Sequence, residues 1–173
     1  AGMKKTANGA TGCGGFPGWL VQQLGGGEFV RDRAMVRWRL KGETKEHVTM
    51  AGVTDPTIAW EQIALAVEKR RNAPGTVWTP FRSGTTLRPS PGDIYLLRKQ
   101  SGDFRHVGVI ANASDPIWIT ADGGQGEGFA VGFQYRRFDG NSGFLGLLRG
   151  GGDSAYLKGW VNLEALLRQP GEG

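Results

Sequence analysis

The apolar residues of this chain change their spacing near its middle. In the first half they recur at helical intervals. Phe16, Leu20 and Leu24 lie four apart with Trp19 and Val21 beside them, which predicts a short helix. Pro17 suits its first turn, where a missing N–H costs nothing, and Gly25-Gly26-Gly27 ends it. A second stripe of Trp60, Ile63, Ala64 and Val67 predicts a helix that opens at Asp55-Pro56, with Asp55 as N-cap and Pro56 as its first residue. Lys69-Arg70-Arg71 falls in its last turn, where cations complement the helix dipole, and Asn72-Ala73-Pro74-Gly75 stops it. Between the helices, Ala34 to Leu40 alternates only in part, and fits a strand or the edge of a helix.

After Pro91-Gly92-Asp93 the pattern becomes that of strands. Ile94 to Leu97, Arg105 to Ala111, Ile117 to Ala121 and Ala130 to Phe138 read as four short strands. Turns are expected at Lys99 to Asp103 and Asn112 to Pro116, and a glycine loop at Asp122 to Gly128. Trp160 to Leu167 reads as a strand end or a short closing helix. Helices first and an antiparallel meander after them give an α+β fold. At 173 residues the chain is expected to be one domain, 1–173, with a flexible lead-in at 1–12 and an inserted, helical part at 25–90.

Composition removes several classes. No apolar run reaches the roughly 20 residues that span a bilayer, so stable membrane insertion is not expected. Ala1-Gly2-Met3-Lys4-Lys5-Thr6 is not followed by the apolar stretch of a signal peptide. One cysteine rules out an internal disulfide and a multi-cysteine metal cluster, and no metal or cofactor is expected. The 30 glycines have no fixed period, so they imply tight turns rather than a repeat fold. The net charge is +5 and the isoelectric point about 9.7, which suits anionic partners. The basic residues are scattered: Arg31, Arg33, Arg37 and Arg39, then Lys69 to Arg71, then Arg136 and Arg137. With no nucleic-acid-binding pattern around them, a generically basic surface is the simpler reading and no nucleic-acid partner is expected.

Against this background two residues carry candidate chemistry. Cys13 stands in Gly12-Cys13-Gly14-Gly15-Phe16, just before the first helix. A helix N-terminus favours a thiolate through its N–H groups and dipole. His106 opens the strand His106-Val107-Gly108-Val109-Ile110. A lone cysteine with a distant histidine is a candidate nucleophile and base. The alternatives are a small buried hydrophobe at Cys13 and a satisfied strand histidine at His106. His47, in Lys45-Glu46-His47, reads as solvated surface. Asp93 reads as a turn-to-strand residue with a structural hydrogen bond. The run Gly124-x-Gly126-x-Gly128 lacks the Lys-Ser/Thr of a phosphate loop.

These three segments, Gly12-Cys13-Gly14-Gly15-Phe16, Pro91-Gly92-Asp93 and His106-Val107-Gly108-Val109-Ile110, resemble the NlpC/P60 and CHAP superfamily of papain-like cysteine peptidases and amidases. The family has Asp-Cys-Ser-Gly-Phe at a helix start, then Pro-Gly-Asp before a strand, then a His-Val-Gly-Ile strand. The chain departs from it at Gly12, which replaces the acid before the cysteine, and in the long interval between Cys13 and Pro91. The family's third polar residue falls near Thr120, and Asp122 lies two residues on, facing the same side of an ideal strand. Asp122 is therefore the candidate orienter of His106, with Thr120, Gln125 and a backbone carbonyl as competitors. An aspartate before Gly-Gly is also a typical turn residue.

The resemblance implies a papain-like α+β domain, with the cysteine-bearing helix packed on the meander. It implies hydrolysis of peptide or amide bonds of bacterial peptidoglycan by Cys13, His106 and Asp122. Without a wall-binding repeat, delivery by another module fits, as in an antibacterial toxin or a lysin. The site of action would be the periplasm or cell wall of a target bacterium, and an immunity protein is a candidate partner. Two other readings remain open: a papain-like toxin that acts on proteins as protease, deamidase or transglutaminase, and a non-catalytic basic binding module.

Overall fold

Ile94, Tyr95, Leu96 and Leu97 are four consecutive buried residues, and a strand that is buried throughout needs cover on both of its faces. The computed structural model supplies both. It describes residue 13 and residues 15–32, 35–50, 56–125, 130–149 and 155–168. The expected lead-in at 1–12, the expected N-cap Asp55 and the middle of the glycine loop at 126–129 lie outside them.

Helix α1 (Gly15–Gln23) leads to strands β1 (Gly27–Asp32), β2 (Met35–Leu40) and β3 (His47–Met50), then helix α2 (Pro56–Arg71) and strand β4 (Trp78–Pro80). Strands β5 (Ile94–Arg98), β6 (Phe104–Ser114), β7 (Ile117–Gln125), β8 (Ala130–Phe138), β9 (Leu145–Leu147) and β10 (Tyr156–Val161) follow, and helix α3 (Leu163–Leu167) closes the order. The first three strands form one antiparallel sheet. The others form a seven-stranded antiparallel sheet ordered β4-β10-β5-β6-β7-β8-β9. The fold is α+β.

Both long helices stop as their sequences require. Gly25 takes φ 69°, which glycine adopts without strain. Gly26 N–H then reaches back to the Val21 carbonyl at 2.9 Å, and Gly25 N–H to that of Gln22 at 3.0 Å. Asn72 does the same for α2, with φ 51° and a bond from Ala73 N–H to the Glu68 carbonyl. Trp60, Ile63, Ala64 and Val67 are all buried, as their spacing predicts.

Strand β5 divides the core. Ile94 and Leu96 pack with Val21, Trp38 and the buried stripe of α2. Tyr95 and Leu97 pack with Ile110, Trp118, Phe138, Leu157 and Trp160. The Pro-Gly-Asp turn fixes the strand's start. Asp93 is buried, and its carboxylate accepts the N–H of Ser90 at 2.8 Å and of Leu163 at 3.0 Å. It therefore ties β5 to the start of α3, the structural role its sequence setting suggests. Burial pushes its pKa up against those two bonds.

Three segments differ from the sequence reading. The part expected to be helical, 25–90, holds the three-stranded sheet ahead of α2. Its alternation is plain once Trp38 and Leu40 are seen buried, with Arg39 paired to Glu28 at 2.8 Å across the strands. The turn expected at Asn112 to Pro116 is shorter, because β6 continues to Ser114 past a bulge between Ile110 and Asn112. The glycine loop also starts later, so that Asp122 lies inside β7.

Candidate active site

His106 enters the sheet beside an irregularity. Leu97 pairs with His106 but Arg98 pairs with Phe104, so one residue of β6 has no opposite number. Such a bulge re-aims the side chain next to it. The imidazole faces the same side as Leu97 and Tyr95, with its ring 6.1 Å from the Tyr95 ring. Gly108, two residues on, stands opposite Tyr95. A Cβ at Gly108 would overlap Asp122 Oδ1 and lie 2.8 Å from a Tyr95 ring carbon. The glycine of the His-Val-Gly run is thus the opening through which the carboxylate approaches the histidine.

Asp122 reaches that opening from β7. A second irregularity, between Asp122 and Gln125 against β8, follows it, with Gly124 at φ 77°. Its side chain is 0% exposed, and every oxygen is occupied. Oδ1 accepts the Tyr95 hydroxyl at 2.5 Å. Oδ2 accepts Arg136 Nη2 at 2.8 Å and the Thr120 hydroxyl at 3.2 Å. Arg136 Nε also donates to Thr120 Oγ1 at 3.1 Å, and its guanidinium lies 5.6 Å from the Tyr95 ring centre. Burial alone would raise the carboxyl pKa. His106, Arg136 and Tyr95 outweigh it, so the group stays below the usual carboxylate range.

His106 Nε2 lies 3.2 Å from Asp122 Oδ1, an ion-pair distance. The approach is out of line, so Nε2 makes no aligned hydrogen bond although it is buried. Burial acts to lower the histidine's pKa, but Asp122 and Cys13 act together to raise it, and the net direction is up. With Nε2 turned to Asp122, Nδ1 is the nitrogen left for the thiol. Cys13 itself is half-buried, two residues before α1, and packs against the core that α1 and α2 share.

The structure thus brings Cys13, His106 and Asp122 together from three separate stretches of chain. Thr120 shares the strand face of Asp122 but sits behind it, on the oxygen turned away from the histidine. Strand β7 ends at Gln125, whose side chain lies outside the described residues. His47 does not join the group described around His106. It is only partly exposed rather than solvated, its ring 4.8 Å from that of Trp38 and its Nε2 3.4 Å from Glu43. Burial first, then Arg70, lowers its pKa.

Sequence reasoning missed Tyr95, Gly108 and Arg136 as parts of this site. Tyr95 reads as one more residue of an apolar strand, and Arg136 as one of a pair of surface cations. The only signal was the glycine set between Val107 and Val109 inside a strand, which marks a close approach. Among the described residues no group of three or more His, Cys, Asp or Glu side chains is arranged to hold a metal ion. Among the described residues no helix is long and apolar enough to cross a membrane. The chain matches no family model, no curated protein and no solved structure.

Proposed function

We propose that this protein is a papain-like cysteine hydrolase that cleaves peptide or amide bonds of bacterial peptidoglycan. One observation carries the reading: a cysteine before a helix N-terminus interacts with a histidine whose other nitrogen faces a buried, ionised carboxylate. This is the relation of nucleophile, base and orienter that thiol acyl transfer needs. The resemblance of the three sequence segments to NlpC/P60 and CHAP enzymes supplies the substrate class.

In the mechanism His106 holds the proton of Cys13, which leaves a thiolate. The thiolate attacks the amide carbonyl, and backbone N–H groups at Cys13 and the start of α1 face the developing oxyanion. His106 gives its proton to the leaving amine as the C–N bond breaks, and a thioester remains. Water then attacks the thioester, losing a proton to His106, and the C–S bond breaks to release the acid and the thiol. Asp122 stays ionised throughout and keeps the imidazolium oriented. The basic surface suits an anionic wall polymer. Action in the periplasm or wall of a target bacterium, as a delivered toxin or a lysin, follows from that substrate, and an immunity protein would be its natural partner.

The test is mass spectrometry of muropeptides after incubation of purified peptidoglycan with the protein and with Cys13→Ala. New amide-cleaved fragments with the first and none with the second are expected. Fragments that persist with Cys13→Ala would end the thiol mechanism. Intact peptidoglycan together with cleaved casein, or with a deamidated glutamine substrate, would move the same dyad to proteins. Inactivity on all of them would leave a binding module.

A further inference from the structure

We infer that Tyr95 is a positioning residue of this site: its hydroxyl occupies the one carboxylate oxygen that faces His106 and so limits how tightly Asp122 holds the imidazole. Oδ1 of Asp122 has two suitors. The Tyr95 hydroxyl lies 2.5 Å from it, while His106 Nε2 lies 3.2 Å away and out of line. The carboxylate cannot turn to offer the other oxygen instead. Oδ2 is held by Arg136 and Thr120 from β8 and β7, all of them buried. Oδ1 lies so close to Gly108 that a Cβ there would overlap it, so the glycine is what admits the carboxylate beside the imidazole. Tyr95 therefore does more than fill the core, although its ring also does that.

The consequence is chemical. An imidazolium gripped by a fully available carboxylate gives up its proton less readily, and a general acid works best with a pKa near the working pH. Sharing Oδ1 with a phenol keeps His106 oriented but less basic. Among the described residues, the groups that face His106 are Asp122 from β7, Cys13 from the segment before α1 and Tyr95 from β5, with Arg136 of β8 behind Asp122. Arg136 compensates the carboxylate from the far oxygen, and Tyr95 divides the near one.

The inference rests on the proposed Cys13–His106 pairing, but its readout is not peptidoglycan cleavage. The experiment is NMR titration of the two histidines in the full chain and in Tyr95→Phe, with His47 as the internal control. The His106 midpoint is expected to rise by about half to one pH unit in Tyr95→Phe, since Oδ1, no longer shared with the phenol, is wholly available to the imidazole. His47 should not move. A second measurement strengthens the donor instead of removing it: incorporation of 3-fluorotyrosine, whose phenol is more acidic, should lower the His106 midpoint. Shifts of opposite sign in the two experiments are the expected result. An unchanged midpoint in both, or a fall in Tyr95→Phe, would reduce Tyr95 to core packing. If the shifts appear in a protein that cleaves no peptidoglycan, the peptidoglycan reading fails and the role of Tyr95 stands. If cleavage is seen without the shifts, the reverse holds.

Discussion

Strands β5 and β8 belong to one sheet, yet they sort their residues by opposite rules. Strand β5 hides Ile94, Tyr95, Leu96 and Leu97 on both faces. Strand β8 alternates as an amphipathic strand should, but apart from Phe138 its large apolar residues face outward. Phe133 is 69% exposed and Tyr135 56%, while Arg136 on the other face is 5% exposed. The difference lies in what each strand must cover. Helices α1 and α2 pack over β5, β6 and β7, and β5 has the second core behind it. The inner face of β8 gives only Phe138 to that second core, and its Arg136 must meet Asp122. A buried carboxylate without a counter-ion costs several kcal/mol, more than burial of one aromatic ring returns. The face that carries Arg136 and Phe138 therefore goes in, and the whole alternate set goes out, because a strand's register moves all its side chains together.

The sharpest way to break this comparison is Arg136→Leu. It adds apolar surface on the inner face but leaves Asp122 without its cation, and should cost about 3–5 kcal/mol in urea unfolding. A double variant, Asp122→Asn with Arg136→Leu, should recover part of that loss, since the two residues touch and their effects are not additive. Additive losses would mean that Arg136 is buried for another reason. For the same reason Asp122→Asn cannot be read as a purely kinetic change, because it strands Arg136 in the core. Leu96→Ala in β5 should cost about 3 kcal/mol, the ordinary consequence of a cavity under two layers of packing. A value below about 1 kcal/mol would show that β5 is not the shared wall of two cores. The smallest effect is expected at Phe133→Ser. Despite losing a large aromatic, the protein should melt within about 0.5 kcal/mol of the parent, and a large loss would place Phe133 in a contact that the fold does not provide.

The same contrast explains what could be read in advance. Helices α1 and α2 were legible to within a residue at their ends, because Gly25 and Asn72 act through local backbone geometry alone. The strands from β5 to β8 were legible because four short apolar runs between turn residues admit few arrangements. Strands β1 to β3 were not, since the alternation of Val36 to Leu40 is short and isolated, and the pairing of its Arg37 and Arg39 with Glu46 and Glu28 depends on the fold. Cys13 and His106 stood out by being rare. Asp122 was harder, because the Asp-Gly-Gly that suggests a turn is here the end of a strand with a bulge. Tyr95 and Arg136 gave no sign, as nothing local says that a tyrosine of one strand and an arginine of another will meet on one carboxylate.

The pairing of Cys13 with His106 and Asp122 is tested most directly by the pH dependence of Cys13 alkylation with iodoacetamide. Only the thiolate reacts, and an isolated cysteine gains reactivity around pH 8.5. A thiolate at Cys13 raises the affinity of His106 for a proton, and by linkage the imidazolium favours the thiolate. The expected result is a reactive step well below pH 8.5 in the parent. It should move upward in Asp122→Asn, where the imidazolium loses its carboxylate, and disappear in His106→Gln. A single rise near pH 8.5 that neither substitution alters would contradict the paired thiolate and, with it, the proposed mechanism.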